Sequence, residues 1–189
     1  MRMSSQAQTP DPTYDAQPSS PPTIRWPGLH QPSDAAIFAS NEIVIPAPIE
    51  AIWPWLIRAE LWPTWYPYSA NIHFISTSGP DLRDRTRFRW SKFGVPITSK
   101  VREFEPLTRL AYDIHGIGVL AYQAWLLTPL PDGTTHVLTQ EVQTGWLARI
   151  GKRIMPHRLE DKHQHWLEAL SVKAQSGPPA QPRPFLKES

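Results

Sequence analysis

The run Ala121-Tyr122-Gln123-Ala124-Trp125-Leu126-Leu127-Thr128-Pro129, then Asp132-Gly133-Thr134, then Val137-Leu138-Thr139-Gln140-Glu141-Val142, constrains this chain more than any other segment. Two β-prone stretches around an Asp-Gly pair read as antiparallel strands joined by a tight turn, since that dipeptide tolerates the positive φ such turns require. A helical pattern from about Trp146 to Ala174 follows directly. From Pro156 onward, Leu159, His163, Trp166, Leu167, Leu170 and Ala174 share one stripe, and His157, Asp161, His165 and Glu168 take the other side. A helix of that kind is built to lie across a sheet. A break is expected near Met155-Pro156, because proline starts a helix more readily than it continues one.

Further strands are expected at 37–45, about 70–77, 84–91, 95–104 and 108–115, with turn chemistry at Ser78-Gly79-Pro80-Asp81, Phe93-Gly94, Pro106-Leu107 and His115-Gly116. Short strands with tight turns imply an antiparallel meander. In Arg85-Thr86-Arg87-Phe88-Arg89-Trp90 the alternation sends Thr86, Phe88 and Trp90 to one face and three arginines to a wet one. After Pro46-Ala47-Pro48, residues Ile49, Ile52, Trp53 and Leu56 recur at i, i+3, i+4 and i+7, one buried helical face. Pro54 removes a donor inside that helix and is expected to shorten or kink it. A second short helix is expected around Glu60 to Trp65. The fold class is therefore α+β: a curved antiparallel sheet wrapped around a long C-terminal helix, with two short helices after the first strand.

Residues 1–34 carry seven prolines among Ser, Gln, Asp and Thr, which cannot bury enough apolar surface to offset ordering entropy. They read as a mostly disordered tail, except that Trp26 within Ile24-Arg25-Trp26-Pro27-Gly28-Leu29 could dock on the domain. Residues 175–189 read as a second Pro-rich tail, either linker or a polyproline ligand for a partner. That leaves one domain, residues 35–174. Nine tryptophans supply its core, since each aromatic can bury about 150–250 Å².

The formal charge of +2 comes without a basic block, so the sequence gives no support for a nucleic-acid role. With no cysteine there is no disulfide, thiol nucleophile or cysteine-ligated metal. The N-terminus lacks an apolar signal core and no 18-residue apolar run occurs, so a soluble cytoplasmic protein without stable membrane insertion is expected, as monomer or weak homodimer. His157, Asp161 and His165 recur at i, i+4 and i+8, but they span about 12 Å of helix, too far for one ion, and are read as a solvated face. No metal and no cofactor is expected. No Ser-His-Asp arrangement, phosphate-binding glycine loop or zinc motif is visible.

His163 lies near the middle of the apolar stripe, where it should face the interior. Two readings stay open: a core histidine bonded to a sheet residue, or a ligand-contacting or acid-base group. Glu141 shares strand phase with Val137 and Thr139, so it points inward if Val137 does and then needs a partner among His163, Gln123 and Tyr112. Phe88, Trp90, Tyr112 and Trp125 read as inward strand aromatics, while Trp62, Trp65, Tyr66 and Tyr68 cluster where the short helices meet the sheet. Candidate ligand contacts are Trp65, Tyr68, Phe88, Trp90, Ile97, Tyr112, Gln123, Trp125, Thr139, Glu141, His163 and Trp166. The only acid-base candidates are His163 and Glu141.

In Ile45-Pro46-Ala47-Pro48-Ile49-Glu50-Ala51-Ile52-Trp53, Trp62-Pro63-Thr64-Trp65-Tyr66-Pro67, Val101-Arg102-Glu103-Phe104-Glu105-Pro106 and the strand pair around Asp132-Gly133-Thr134, the chain resembles the SRPBCC superfamily, with its START and Bet v 1-like helix-grip fold. The likeness, covering about residues 36–174, is to its polyketide cyclase/dehydrase-like group. It implies a deep pocket between sheet and C-terminal helix for lipids, polyketides or other apolar or aromatic molecules. Gln123 and Gln140 stand where similar sequences carry His and Glu, and glutamine binds without titrating. Three functions are compatible with this: a small-molecule binder, a cyclase, aromatase or dehydratase using His163 and Glu141, or a module resembling chaperone activators that uses Arg85, Arg87, Arg89, Lys100 and Arg102.

Overall fold

The computed structural model describes residues 22–77, 79–155 and 157–180. The elements run β1 (Ile37–Ile45), α1 (Ile49–Ile57), α2 (Trp62–Trp65), β2 (Ser69–Phe74), β3 (Arg87–Lys92), β4 (Val95–Glu105), β5 (Arg109–Gly116), β6 (Val119–Pro129), β7 (Thr135–Thr144), α3 (Trp146–Ile154) and α4 (Arg158–Gln175). Seven strands form one antiparallel sheet in the order β1-β7-β6-β5-β4-β3-β2. The sheet curves around α4, whose Leu159, His163, Trp166, Leu167, Leu170 and Ala174 are all buried. This is the helix-grip architecture.

The apolar face of α1 is buried as its spacing requires, through Ile49, Ile52, Trp53 and Leu56. Pro54 does not end the helix. The donor it lacks would have served the carbonyl of Glu50, an exposed residue open to water, so α1 continues to Ile57. Strand β3 begins at Arg87 and not at 84, because Arg85 adopts a φ of 60° in the preceding turn. Arg85 therefore lies outside the strand, while Arg87 and Arg89 are exposed on it. The last helical segment divides into α3 and α4, and the proline expected to divide it, Pro156, lies outside the described residues.

Both presumed tails prove partly ordered. Residues 22–36 lie on the outer face of the sheet, where Ile24 is buried with Ala111, Tyr122, Ala124, Leu126 and Val142. The Trp26 ring packs on Tyr122 at 6.0 Å and on Phe38 at 6.2 Å. The guanidinium of Arg109 donates to the carbonyl of Thr23 at 2.9 Å. This cover explains why Ala121–Leu127 is buried on both faces, the pattern a continuous apolar run requires. At the other end, residues 176–180 run back over α1, with Trp55 Nε1 donating to the Gly177 carbonyl at 2.7 Å and Pro179 buried. The expectations for residues 1–21 and 181–189 lie outside the described residues.

Candidate functional site

The inner face of the sheet carries its charged groups at one place. Strand phase turns Lys92 of β3, Gln123 of β6 and Glu141 of β7 inward, and α4 brings His163 down onto them. Lys92 is 4% exposed; Gln123, Glu141 and His163 are fully buried. The ammonium of Lys92 pairs with Glu141 Oε2 and donates to Gln123 Oε1 at 2.9 Å. His163 Nε2 lies 3.0 Å from the same Glu141 Oε2, and Gln143 Nε2 donates to Oε1 at 2.6 Å. Behind them Tyr112 donates its hydroxyl to Gln123 Oε1 at 3.1 Å, and Gln123 Nε2 reaches Thr139 Oγ1 at 3.4 Å. A buried carboxylate needs this many partners to remain ionised.

Burial pushes Lys92 and His163 below their ordinary values, with Glu141 opposing both shifts. Burial alone would raise Glu141, but the charge of Lys92 and the bond from His163 outweigh it and hold the carboxyl well below the usual range. The consistent state is an ammonium, a carboxylate and a neutral imidazole donating from Nε2. His163 Nδ1 is buried without a hydrogen-bond partner among the described residues.

Beside this cluster lies a cavity of about 330 Å³. Its walls are Ile97, Ile114 and Ala121 from the sheet, Leu147, Ala148 and Gly151 from α3, and Leu159 from α4. Lys92 and Glu141 form its polar end, and the exposed Met155 and Arg158 stand at its rim. The volume falls within the range of small-molecule sites, roughly 300–1,000 Å³.

The cavity is not where the aromatics are. Phe88, Trp90, Tyr112, Trp125 and Trp166, with Trp62, fill the interior on the far side of the polar cluster, with neighbouring ring centroids 5.1–6.4 Å apart. These six rings pack on one another in the core, and, against the expectation that they face the pocket, none of them is among the residues lining this cavity. Trp65 is buried at the core margin beside Tyr66, and Tyr68 stands on an outer groove, stacked on His165. Of the candidate contacts, Ile97 and Glu141 line the cavity, while Gln123, Thr139 and His163 support its polar end from behind.

Lys92 is the residue the sequence reading passed over. The alternation that places Phe88 and Trp90 inward places Lys92 inward too, and extending it by one step would have found the partner of Glu141. Gln143 was missed as well. Among the arginines proposed for a protein-binding patch, Arg102 is engaged by Asp113, its Nε donating to Oδ2 at 2.6 Å. His157, Asp161 and His165 are exposed, and no group of three or more His, Asp or Glu side chains among the described residues is placed to hold a metal ion.

Comparison with known proteins places this geometry. A hypothetical protein from Helicobacter pylori of known structure is 30% identical, with a TM-score of 0.78 over 82% of this chain and 98% of that one. A Thermus thermophilus protein and the Zhui aromatase/cyclase of a Streptomyces species share the fold at 16% and 14% identity, with TM-scores of 0.61 and 0.60. The first of these two alignments covers 74% of this chain and 97% of that one, the second 73% and 93%. No curated protein matches the chain. Residues 37–175, from the first strand to the end of α4, match the family model described as polyketide cyclase / dehydrase and lipid transport, and the chain belongs to that family.

Proposed function

We propose that this protein binds an apolar small molecule, lipid-like or polyketide-like, with its neutral polar head against Lys92. The observation that carries the reading is an apolar cavity whose one polar end is a buried, internally neutralised Lys92–Glu141 pair. An ammonium has three donors, and Gln123 and Glu141 take two. The third is available to a hydroxyl or carbonyl oxygen of a ligand. Because Glu141 already balances the charge of Lys92, a neutral head fits better than a carboxylate. The family description, which names both cyclases and lipid transport, is in keeping with such a ligand.

The arrangement supports binding over a reaction with His163 and Glu141 as acid and base. A general base must reach a substrate proton and titrate near the working pH. Glu141 is held below that range with both oxygens occupied, and His163 stands behind it. Long-chain alcohols, their esters and aromatic polyketides are therefore expected to raise the melting temperature, and native mass spectrometry after mild purification should show a bound apolar molecule. Ala121→Phe fills the cavity from β6 and should abolish both effects while leaving the fold intact. Absence of any bound or stabilising molecule, or binding unchanged in Ala121→Phe, would refute the reading.

A further inference from the structure

The helix that closes the cavity has a second face. In α3, Trp146, Ile150 and Ile154 recur every fourth residue and form one stripe, which is 57%, 46% and 68% exposed. Leu147 and Gly151 form the adjacent row, turned to the cavity, with Ala148 buried beyond them, and Ile150 and Ile154 also line the cavity's mouth while remaining exposed. On the opposite flank of the exposed stripe, Arg149 and Arg153 form a row of their own, both exposed. Lys152 and Arg158 add two more exposed cations, and α3 contains no acidic residue. Isolated exposed apolar residues are ordinary, but three in a helical row, flanked by arginines, are not.

The stripe continues off the helix. Ile117, at the tip of the β5–β6 turn, is 81% exposed, and the turn's Gly118 lies under the Trp146 ring, where a Cβ would fall 2.4 Å from it. The Leu147 amide donates to the Gly118 carbonyl at 2.9 Å, so turn and helix are fixed to one another. Met155, 44% exposed, ends the patch at the cavity rim.

We infer that α3 and the β5–β6 turn form a docking face for the surface of an anionic lipid bilayer, bringing the rim of the cavity to the membrane. Of the surfaces that could cover an apolar stripe, a bilayer with negative headgroups matches both parts of this one. Aliphatic side chains and a tryptophan seat at the headgroup boundary, while an arginine row alongside meets phosphate. Binding would be peripheral and reversible, since α3 has nine residues and no helix among the described residues is long and apolar enough to cross a membrane. The docking face shares Ile150, Ile154 and Met155 with the mouth of the cavity, but it rests on their exposure and on the arginine row of α3, not on the identity of a bound ligand.

Co-sedimentation of the full chain with vesicles tests it. The protein should pellet with phosphatidylcholine vesicles containing phosphatidylglycerol, stay in solution with pure phosphatidylcholine, and be released as salt rises. Each basic residue near the surface is worth roughly five-fold in partitioning, so Arg149→Ala with Arg153→Ala should weaken binding at least ten-fold. Ile117→Ser, at a site that is 81% exposed, should weaken it too. Arg87→Ala with Arg89→Ala, on the outer sheet face, should leave it unchanged. The proposal is overturned if the chain never pellets with anionic vesicles, or if the Arg87/Arg89 pair matters as much as the Arg149/Arg153 pair. It is equally overturned if α3 proves buried in a dimer or in a stoichiometric protein complex that the same substitutions disrupt.

Discussion

Lys92 and Glu141 depend on each other in a way that neither shares with the apolar residues around them. Each would be expensive to bury alone, and together they form an ion pair in which both side chains are almost fully buried. Lys92→Met should therefore cost about 3–5 kcal/mol in urea unfolding, because it leaves a carboxylate buried with only His163 and Gln143 as partners. Adding Glu141→Gln should return most of that loss, since a neutral amide no longer needs a counter-charge. If the double variant is no more stable than Lys92→Met alone, the pair is not coupled as the geometry indicates. The phase of Glu141 followed that of Val137 and Thr139, which are buried with it, but Leu138 and Val142 on the opposite phase are equally apolar, so the strand pattern left its direction open. Its partner Lys92 could not be reached by residue type, because a lysine at a strand end ordinarily snorkels to water. Only its phase with Phe88 and Trp90 placed it inside.

The elements divide by how many faces they bury. In α4 one stripe is covered and the other side is solvated, so helical periodicity assigned every buried position from Leu159 to Ala174 except Ser171. Trp166 sits at the centre of that stripe, stacked on Tyr66 at 4.3 Å and edge-on to Trp125 at 5.1 Å. Trp166→Ala should cost about 3–5 kcal/mol, measured by chemical denaturation, since rings on all sides prevent the site from collapsing. A loss below about 1 kcal/mol would mean that the cluster repacks around the gap. Periodicity was less informative for α3, whose Leu147 and Ala148 serve the cavity, whose Trp146 faces solvent, and whose Ile150 and Ile154 do both. It also could not tell a ligand-lining aromatic from a core aromatic. Phe88, Trp90 and Trp125 point inward in either case, and whether space remains between them depends on the packing of rings from five separate elements.

At the scale of the whole molecule the domain is larger than its periodic segments. Residues 22–34 and 176–180 have no repeating apolar face, and composition assigned them to tails, with Trp26 excepted as a residue that could dock. They are held by single anchors: Ile24 and Trp26 on the outer sheet, and the Gly177 carbonyl and Pro179 on α1. Such anchors have no period for a sequence reading to detect. The outer-sheet cluster gave a hint, because Tyr122, Ala124, Leu126 and Val142 on the face away from α4 are too apolar to be left in water. A chain trimmed to residues 22–180 should therefore melt cooperatively and keep every contact described here. Trimming further, to end at residue 175, removes the acceptor of Trp55 Nε1 and should cost about 1–2 kcal/mol, or roughly 2–8 °C in melting temperature. Starting instead at residue 37 should cost more, because it uncovers the outer cluster as well as breaking the Arg109–Thr23 bond, and it should promote aggregation. Equal melting temperatures for chains beginning at residues 22 and 37 would show that the docked segment contributes nothing to stability.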